Sequence, residues 1–258
     1  MSQNNKAGQF DMTISSNQTF SDKVYYDELA SYFDCSIGDT VDKLRNFPKF
    51  IPHAALGKFL CRYELFKMIQ NVHGSIVECG VHLGGGLMTW AQISSILEPI
   101  NHVRKVIGFD TFEGFADIAA NDVASGADQI GKSTFSVPAY ADIQEAIRVF
   151  DLGRQLRHIP KVELVKGDAM ETIPKYIKDN QHLIIALLYM DFDIYLPTKA
   201  AIENLRNRMP IGAVIVFDEL CIRQWPGETL AVMDTFGIDR LRIRRFVHQP
   251  QISYAVLE

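Results

Sequence analysis

From Ser75 onward the chain alternates short apolar runs with segments of helical period. That alternation restricts it to a parallel sheet wrapped by crossover helices. The runs are Ser75–Cys79, Lys105–Phe109, Val162–Val165, Leu183–Met190 and Ala213–Phe217, followed by Arg240–Phe246 and Gln251–Leu257. Helical patterns fall near Leu87–Leu97, Tyr140–Phe150, Ala169–Lys178, Thr198–Arg208 and Gly227–Phe236. Five βα units with two closing strands predict an α/β fold, a Rossmann-like doubly wound sheet of seven strands.

Residues 1–20 are polar and rich in Asn, Gln and Ser, and read as a flexible tail. Residues 21–73 read as a helical extension, with helices over Val24–Phe33, Val41–Phe47 and His53–Val72, and residues 74–258 as the α/β domain. The stretch Gly114–Val137 has few large apolar residues and reads as a mobile cover over a site. A formal net charge of −5 gives no electrostatic fit to nucleic acid or to an anionic membrane. The longest apolar run, Leu183–Met190, is too short to span a bilayer, and no charged segment with an apolar core opens the chain. Cys35, Cys61, Cys79 and Cys221 are scattered, which fits a reducing cytoplasm rather than a disulfide framework or a zinc site.

The first strand runs into Glu78-Cys79-Gly80-Val81-His82-Leu83-Gly84-Gly85-Gly86. Glycines at a strand-to-helix turn let a ligand approach the backbone, and the helix start offers free N–H groups. The dinucleotide fingerprint GxGxxG is absent, and an acid precedes the first glycine. Glu78 would repel a pyrophosphate but suits a ligand with a positive amino group or sulfonium, as S-adenosylmethionine carries. Gly80, Val81, Gly84, Gly85 and Gly86 are therefore candidate cofactor contacts. Asp110, which closes the second strand, is placed to accept from ribose hydroxyls. Gly167, Asp168 and Ala169 follow the third strand; Asp168 could meet an adenine amino group, cap the next helix, or do both.

Strands four and five run into Asp191-Phe192-Asp193 and Asp218-Glu219. In an open parallel sheet, ligands bind beyond the carboxyl ends of the strands at the switch point, so Asp191, Asp218 and Glu219 should converge there. Carboxylates gathered at neutral pH repel unless a cation or protons neutralise them. An all-oxygen set suits Mg²⁺ or Ca²⁺. Such an ion could lower the pKa of a substrate hydroxyl for a nearby base, Asp191 or His82. Period-two alternation would turn Asp193 away from the site toward a cap or water. Trp225 could stack on a sugar face or simply pack.

Together the motifs resemble the macrocin O-methyltransferase family. The resemblance rests on Arg62-Tyr63-Glu64-Leu65, Glu78-Cys79-Gly80-Val81 with Gly84-Gly85-Gly86, and Gly108-Phe109-Asp110-Thr111-Phe112-Glu113-Gly114-Phe115. It continues in Asp191-Phe192-Asp193-Ile194-Tyr195-Leu196-Pro197-Thr198, Asp218-Glu219 and Pro226-Gly227-Glu228-Thr229. It implies transfer of a methyl group from S-adenosylmethionine to a hydroxyl of a deoxysugar, nucleotide-linked or in a glycoside, with Mg²⁺ at Asp191, Asp218 and Glu219. It adds Thr111 and Phe112 to the cofactor contacts, Asp191 as a base that also meets the cofactor, and Phe115, Tyr195 and Trp225 to the acceptor side. It further implies a homodimer or a dimer of dimers. Many members carry aspartate where this chain has Glu219, whose longer arm alters the metal geometry. Three other readings stand beside this one: the same chemistry on a phenol or catechol, a nicotinamide-dependent oxidoreductase, and a non-catalytic binding protein.

Overall fold

A computed structural model describes residues 20–123, 131 and 134–258. Most of the expected tail, residues 1–19, and part of the expected cover, residues 124–130 and 132–133, lie outside the described residues. Two compact units part at His53 and Ala54. The first contains α1 (Phe20–Cys35), α2 (Thr40–Arg45) and a 3-10 turn at Phe47–Lys49. Asp39 caps α2 by accepting from Asp42 N at 2.9 Å.

The second unit holds α3 (His53–Ile69) and a seven-stranded sheet of β1 (Ser75–Cys79), β2 (Val106–Asp110), β3 (Val162–Lys166), β4 (Ile185–Met190), β5 (Val214–Phe217), β6 (Arg244–Arg245) and β7 (Ser253–Val256). Its other helices are α4 (Gly85–Leu97), α5 (Tyr140–Gly153), α6 (Ala169–Asp179), α7 (Tyr195–Leu205) and α8 (Pro226–Thr235). The strand order is β3-β2-β1-β4-β5-β7-β6, with β1 to β5 parallel and β7 antiparallel to both β5 and β6. The order reverses between β1 and β4, so the crevice lies at the carboxyl ends of those two strands.

Both faces of the sheet are covered, which is why the strands read as continuous apolar runs. Ile76, Tyr189, Val214 and Val216 pack on one face with Leu65, Phe66, Leu87 and Trp90 from α3 and α4. Val77, Cys79, Leu188, Met190, Ile215 and Phe217 face the other way, onto Ile173, Ala201, Ile202 and Val232 of α6, α7 and α8. Arg104, 3% exposed, ties α3 to this frame by donating to the carbonyls of Ile69, Val72 and Gly74.

Two elements differ from expectation. The sixth strand shrinks to Arg244–Arg245 because it is an exposed edge with one neighbour, and a 3-10 turn takes Ile238–Arg240. Helix α7 starts at Tyr195, before Pro197, since first-turn N–H groups have no helical partner and a proline there breaks no bond.

Lys161 is 5% exposed, and its ammonium donates to the Asn101 carbonyl at 3.0 Å. Burial lowers its pKa to about 8 from 10.5. The charged form is penalised, so the penalty is full below pH 8 and vanishes as pH rises to 10.5. Lys161→Met is therefore expected to stabilise the protein by roughly 2–3 kcal/mol at pH 7. Urea unfolding checks this, and the gap between the two proteins should close toward pH 10.5.

Candidate functional site

The glycine turn lies where β1 feeds α4. Gly80 takes φ +94° with its α-carbon against the Asp191 carbonyl, so a side chain there would collide with backbone. Gly84, φ +84°, is the N-cap of α4 and offers no side-chain bond. The space where Gly85 would carry a Cβ is open. The first turn of α4 thus presents backbone N–H groups beside open space at Gly85, which fits the polar end of an amino-acid-like ligand.

Asp110 closes β2 and organises that turn. Its Oδ2 accepts from Val81 N at 2.7 Å and His82 N at 2.8 Å, while Oδ1 accepts from Phe112 N at 2.6 Å. Oδ2 is thereby filled, and Oδ1 keeps lone-pair capacity for a ligand hydroxyl. Thr111 donates to the Gly114 carbonyl at 2.5 Å. Gly167 N reaches the Asp110 carbonyl at 2.9 Å, and Asp168 caps α6 by accepting from Met170 N at 2.9 Å. Val81 and Ala169 are buried behind these groups.

Glu78 does not face the open turn. It is 1% exposed, beneath Gly86, with Oε1 3.6 Å from Arg62 Nη2. Burial raises its pKa to about 7, against the pull of Arg62. Arg62, itself buried, lies over the rings of Tyr189 and Trp90.

At the ends of β4 and β5, ligand oxygens of Asp191, Asp193 and Glu219 lie within 4.8 Å of one another. Burial and the neighbouring Asp218 raise Asp191 well above the carboxylate range and Asp193 to about 7. Glu219 is raised by burial and by Asp193, and its Oε2 is buried with no hydrogen-bond partner among the described residues. An orphaned oxygen among crowded carboxylates fits a hard divalent cation.

Asp193 is in this group because it sits past the strand in a left-handed turn, φ +62°, where period-two alternation no longer applies. Asp218 is placed differently from the expected ligand set. It is 3% exposed, accepts from Lys58 Nζ at 2.7 Å and is bonded by the Tyr189 hydroxyl. Burial pushes it up, but Lys58 and these bonds hold it below the ordinary range.

The ring of His82, at φ +50°, meets Phe135, which in turn meets Phe115 and Trp225 at centroid distances of 6.0 and 5.7 Å. Burial lowers the His82 pKa, so the imidazole is neutral at pH 7. Tyr195 lies apart from these rings. It is 8% exposed, and its hydroxyl donates to Asp234 at 2.6 Å on α8.

The sequence assigns no role to Lys58, Tyr189 or Asp122, and shows Arg62 and Glu228 only as members of the family motifs. For two of them a signal existed: Lys58 and Arg62 stand four apart on the helix face that also buries Cys61, Leu65 and Phe66. Cations in an apolar stripe need buried acids.

The model of the family described as macrocin-O-methyltransferase (TylF) matches residues 64–236. The crystal structure of CalS11, a calicheamicin methyltransferase, is 31% identical and superposes with a TM-score of 0.87 over 93% of each chain. An apo structure of CalS11, described as a TDP-rhamnose 3'-O-methyltransferase, gives 28% identity and a TM-score of 0.81 over 93% of this chain and 95% of that one. Demethyldecarbamoylnovobiocin O-methyltransferase of Streptomyces niveus is 27% identical over 153 residues, 58% of this chain. That match spans about half, 54%, of the relative's length.

Proposed function

Since the chain belongs to the macrocin O-methyltransferase family, it is an O-methyltransferase, and we propose that it methylates a hydroxyl of a deoxysugar, nucleotide-linked or in a glycoside, using S-adenosylmethionine and Mg²⁺. The observation that carries this reading is the meeting of the glycine turn with three carboxylates, Gly80 lying directly against the Asp191 backbone.

In this reading Gly84, Gly85 and Gly86 hold the amino-acid end of the cofactor and Asp110 the ribose, with Thr111, Phe112, Gly167 and Ala169 shaping the rest. Asp168 keeps one oxygen for the adenine while the other caps α6. S-adenosylmethionine supplies an electrophilic methyl group. Asp191, Asp193 and Glu219 would hold the cation, which supplies Lewis acidity toward an acceptor hydroxyl. Asp218 backs this set from its bonds to Lys58 and Tyr189. Asp191, or the neutral imidazole of His82, takes the hydroxyl proton. Glu78 acts from below, holding Arg62 under the start of α4.

The Phe115, Phe135 and Trp225 rings form the acceptor wall, on which a sugar's C–H face can rest. Trp225→Ala is expected to raise KM for the acceptor about tenfold with kcat and the cofactor KM little changed, the signature of lost uniform binding. Steady-state kinetics in each substrate measure it.

The acceptor class is tested by release of S-adenosylhomocysteine with a panel of nucleotide-linked deoxyhexoses, glycosides and phenols. Turnover on the sugars supports the proposal. Turnover confined to phenols replaces it with the catechol-type reading, and silence on both with cofactor bound contradicts the acceptor class. Among the described residues no helix is long and apolar enough to cross a membrane.

A further inference from the structure

Two of the three clustered carboxylates lie in the turn that joins β4 to α7, yet that turn is not held by its own side chains. Ile194, the N-cap of α7, supplies no acceptor. The acceptor comes from 73 residues upstream: Asp122 Oδ1 takes the hydrogen bond of Tyr195 N at 2.6 Å. Its Oδ2 takes that of Ala119 N at 2.8 Å, and the residue is 1% exposed. A third segment closes on the same carboxylate. A Cβ on Gly227, in the first turn of α8, would stand 2.6 Å from Tyr195 N and press on Asp122 Oδ1. The next residue, Glu228, is fully buried and accepts from Glu219 N at 3.0 Å.

We propose that Asp122 is the positioning residue of the acidic rim, fixing the Asp191–Asp193 turn through Tyr195 and the Glu219 loop through Gly227 and Glu228. This rests on the reading of that rim as a cation and acceptor site. The need is physical. Asp193 holds a left-handed backbone that an aspartate adopts only at a cost, and it must keep that backbone among two further crowded carboxylates. A buried carboxylate taking two backbone N–H bonds supplies an anchor that neither Ile194 nor solvent supplies, and it acts on the dipole end of α7 as a cap would. The residues from Phe115 to Asp122 are thereby joined to the carboxylates, so the aromatic wall and the acidic rim share one anchor.

The test uses Mn²⁺ as the probe, titrated into the full chain by electron paramagnetic resonance without an acceptor, alongside hydrogen exchange by mass spectrometry. Asp122→Ala and Gly227→Ala are each expected to weaken Mn²⁺ binding and speed exchange over residues 191–197 by about tenfold or more, a loss typical of groups that orient metal ligands. S-adenosylmethionine affinity, set at the β1 and β2 ends, should stay within about twofold by calorimetry. Asp122→Asn is near-isosteric and keeps only one acceptor, so it breaks one arm whichever way its amide turns. It decides the matter should the alanine variant fail to fold, with the same direction expected. A lowered melting temperature with parental Mn²⁺ affinity and parental exchange at 191–197 would make Asp122 a plain structural cap and overturn the proposal. If the parent chain binds no Mn²⁺, the metal reading falls. Exchange at 191–197 then decides Asp122 by itself, unaltered rates refuting its role and faster rates upholding its hold on the turn.

Discussion

Asp191→Asn is expected to lower kcat/KM for methyl transfer by about 10³-fold while the cofactor still binds, because it removes both a metal-type donor and a candidate base. The amide has nearly the same volume, and Asp191 N keeps its bond to the Cys79 carbonyl at 2.8 Å, so the backbone that lines the glycine turn should not move. Stability should hold or rise. Asp191 is pushed above the carboxylate range by burial and Asp218, and deleting its charge relieves that repulsion. Loss of activity with a melting temperature at or above the parent's is therefore the predicted pair of results. Adding EDTA to the parent should reproduce the loss, and adding EDTA to the variant should change little. A variant that retains more than about a tenth of parental turnover would remove Asp191 from both roles.

Arg62→Met is expected to have the largest effect on folding. Arg62 is 6% exposed, and Glu78, at 1%, has it as an ionic partner on the sheet face. Removing one member of a buried pair strands the other, at about 3–5 kcal/mol. The pH dependence gives the mechanism away. Glu78 has a folded pKa of about 7 against an ordinary 4.5, so the native state binds the extra proton and stability falls as pH rises between those values. Without Arg62 the folded pKa climbs further, so the variant's fall continues past pH 7 where the parent's has ended. The deficit should be small at pH 5 and full near pH 9. Glu78→Gln in the Arg62→Met background should restore most of the loss and flatten the curve. An equal deficit at pH 5 and pH 9 in urea unfolding would show that lost packing, not the stranded charge, is responsible.

Much of this architecture is legible in the chain because it follows from short-range rules. Four buried strands and the half-buried β3 read as apolar runs, and Gly80 and Gly84 mark positions where backbone meets backbone or takes positive φ. The doubly wound sheet then places Asp191 and Glu219 at one rim by topology alone. What stayed hidden depends on distance in sequence. Lys58 pairs with Asp218 across 160 residues, and that pairing turns Asp218 from a free donor into one partner of an ion pair. Asp193 departs from the strand's alternation because it stands three residues past the end of β4, in a left-handed turn. The resemblance sets Tyr195 on the acceptor side, and the sequence pattern starts helix α7 only at Thr198. Starting at Tyr195, it turns the hydroxyl toward Asp234 instead. Glu78 read as a cofactor contact because nothing in its own neighbourhood announces that Arg62, on α3, fills the space beneath Gly86.

In the proposed reaction this rim moves a methyl group onto a sugar oxygen. The most direct measurement is carbon–proton correlation NMR of the product formed from methyl-¹³C S-adenosylmethionine and a nucleotide-linked deoxyhexose. A single new O-methyl resonance, coupled to one ring carbon of the sugar and absent with Asp191→Asn, is the predicted result. Label on the nucleobase, on a nitrogen or carbon atom, or an O-methyl signal that persists in Asp191→Asn would contradict it.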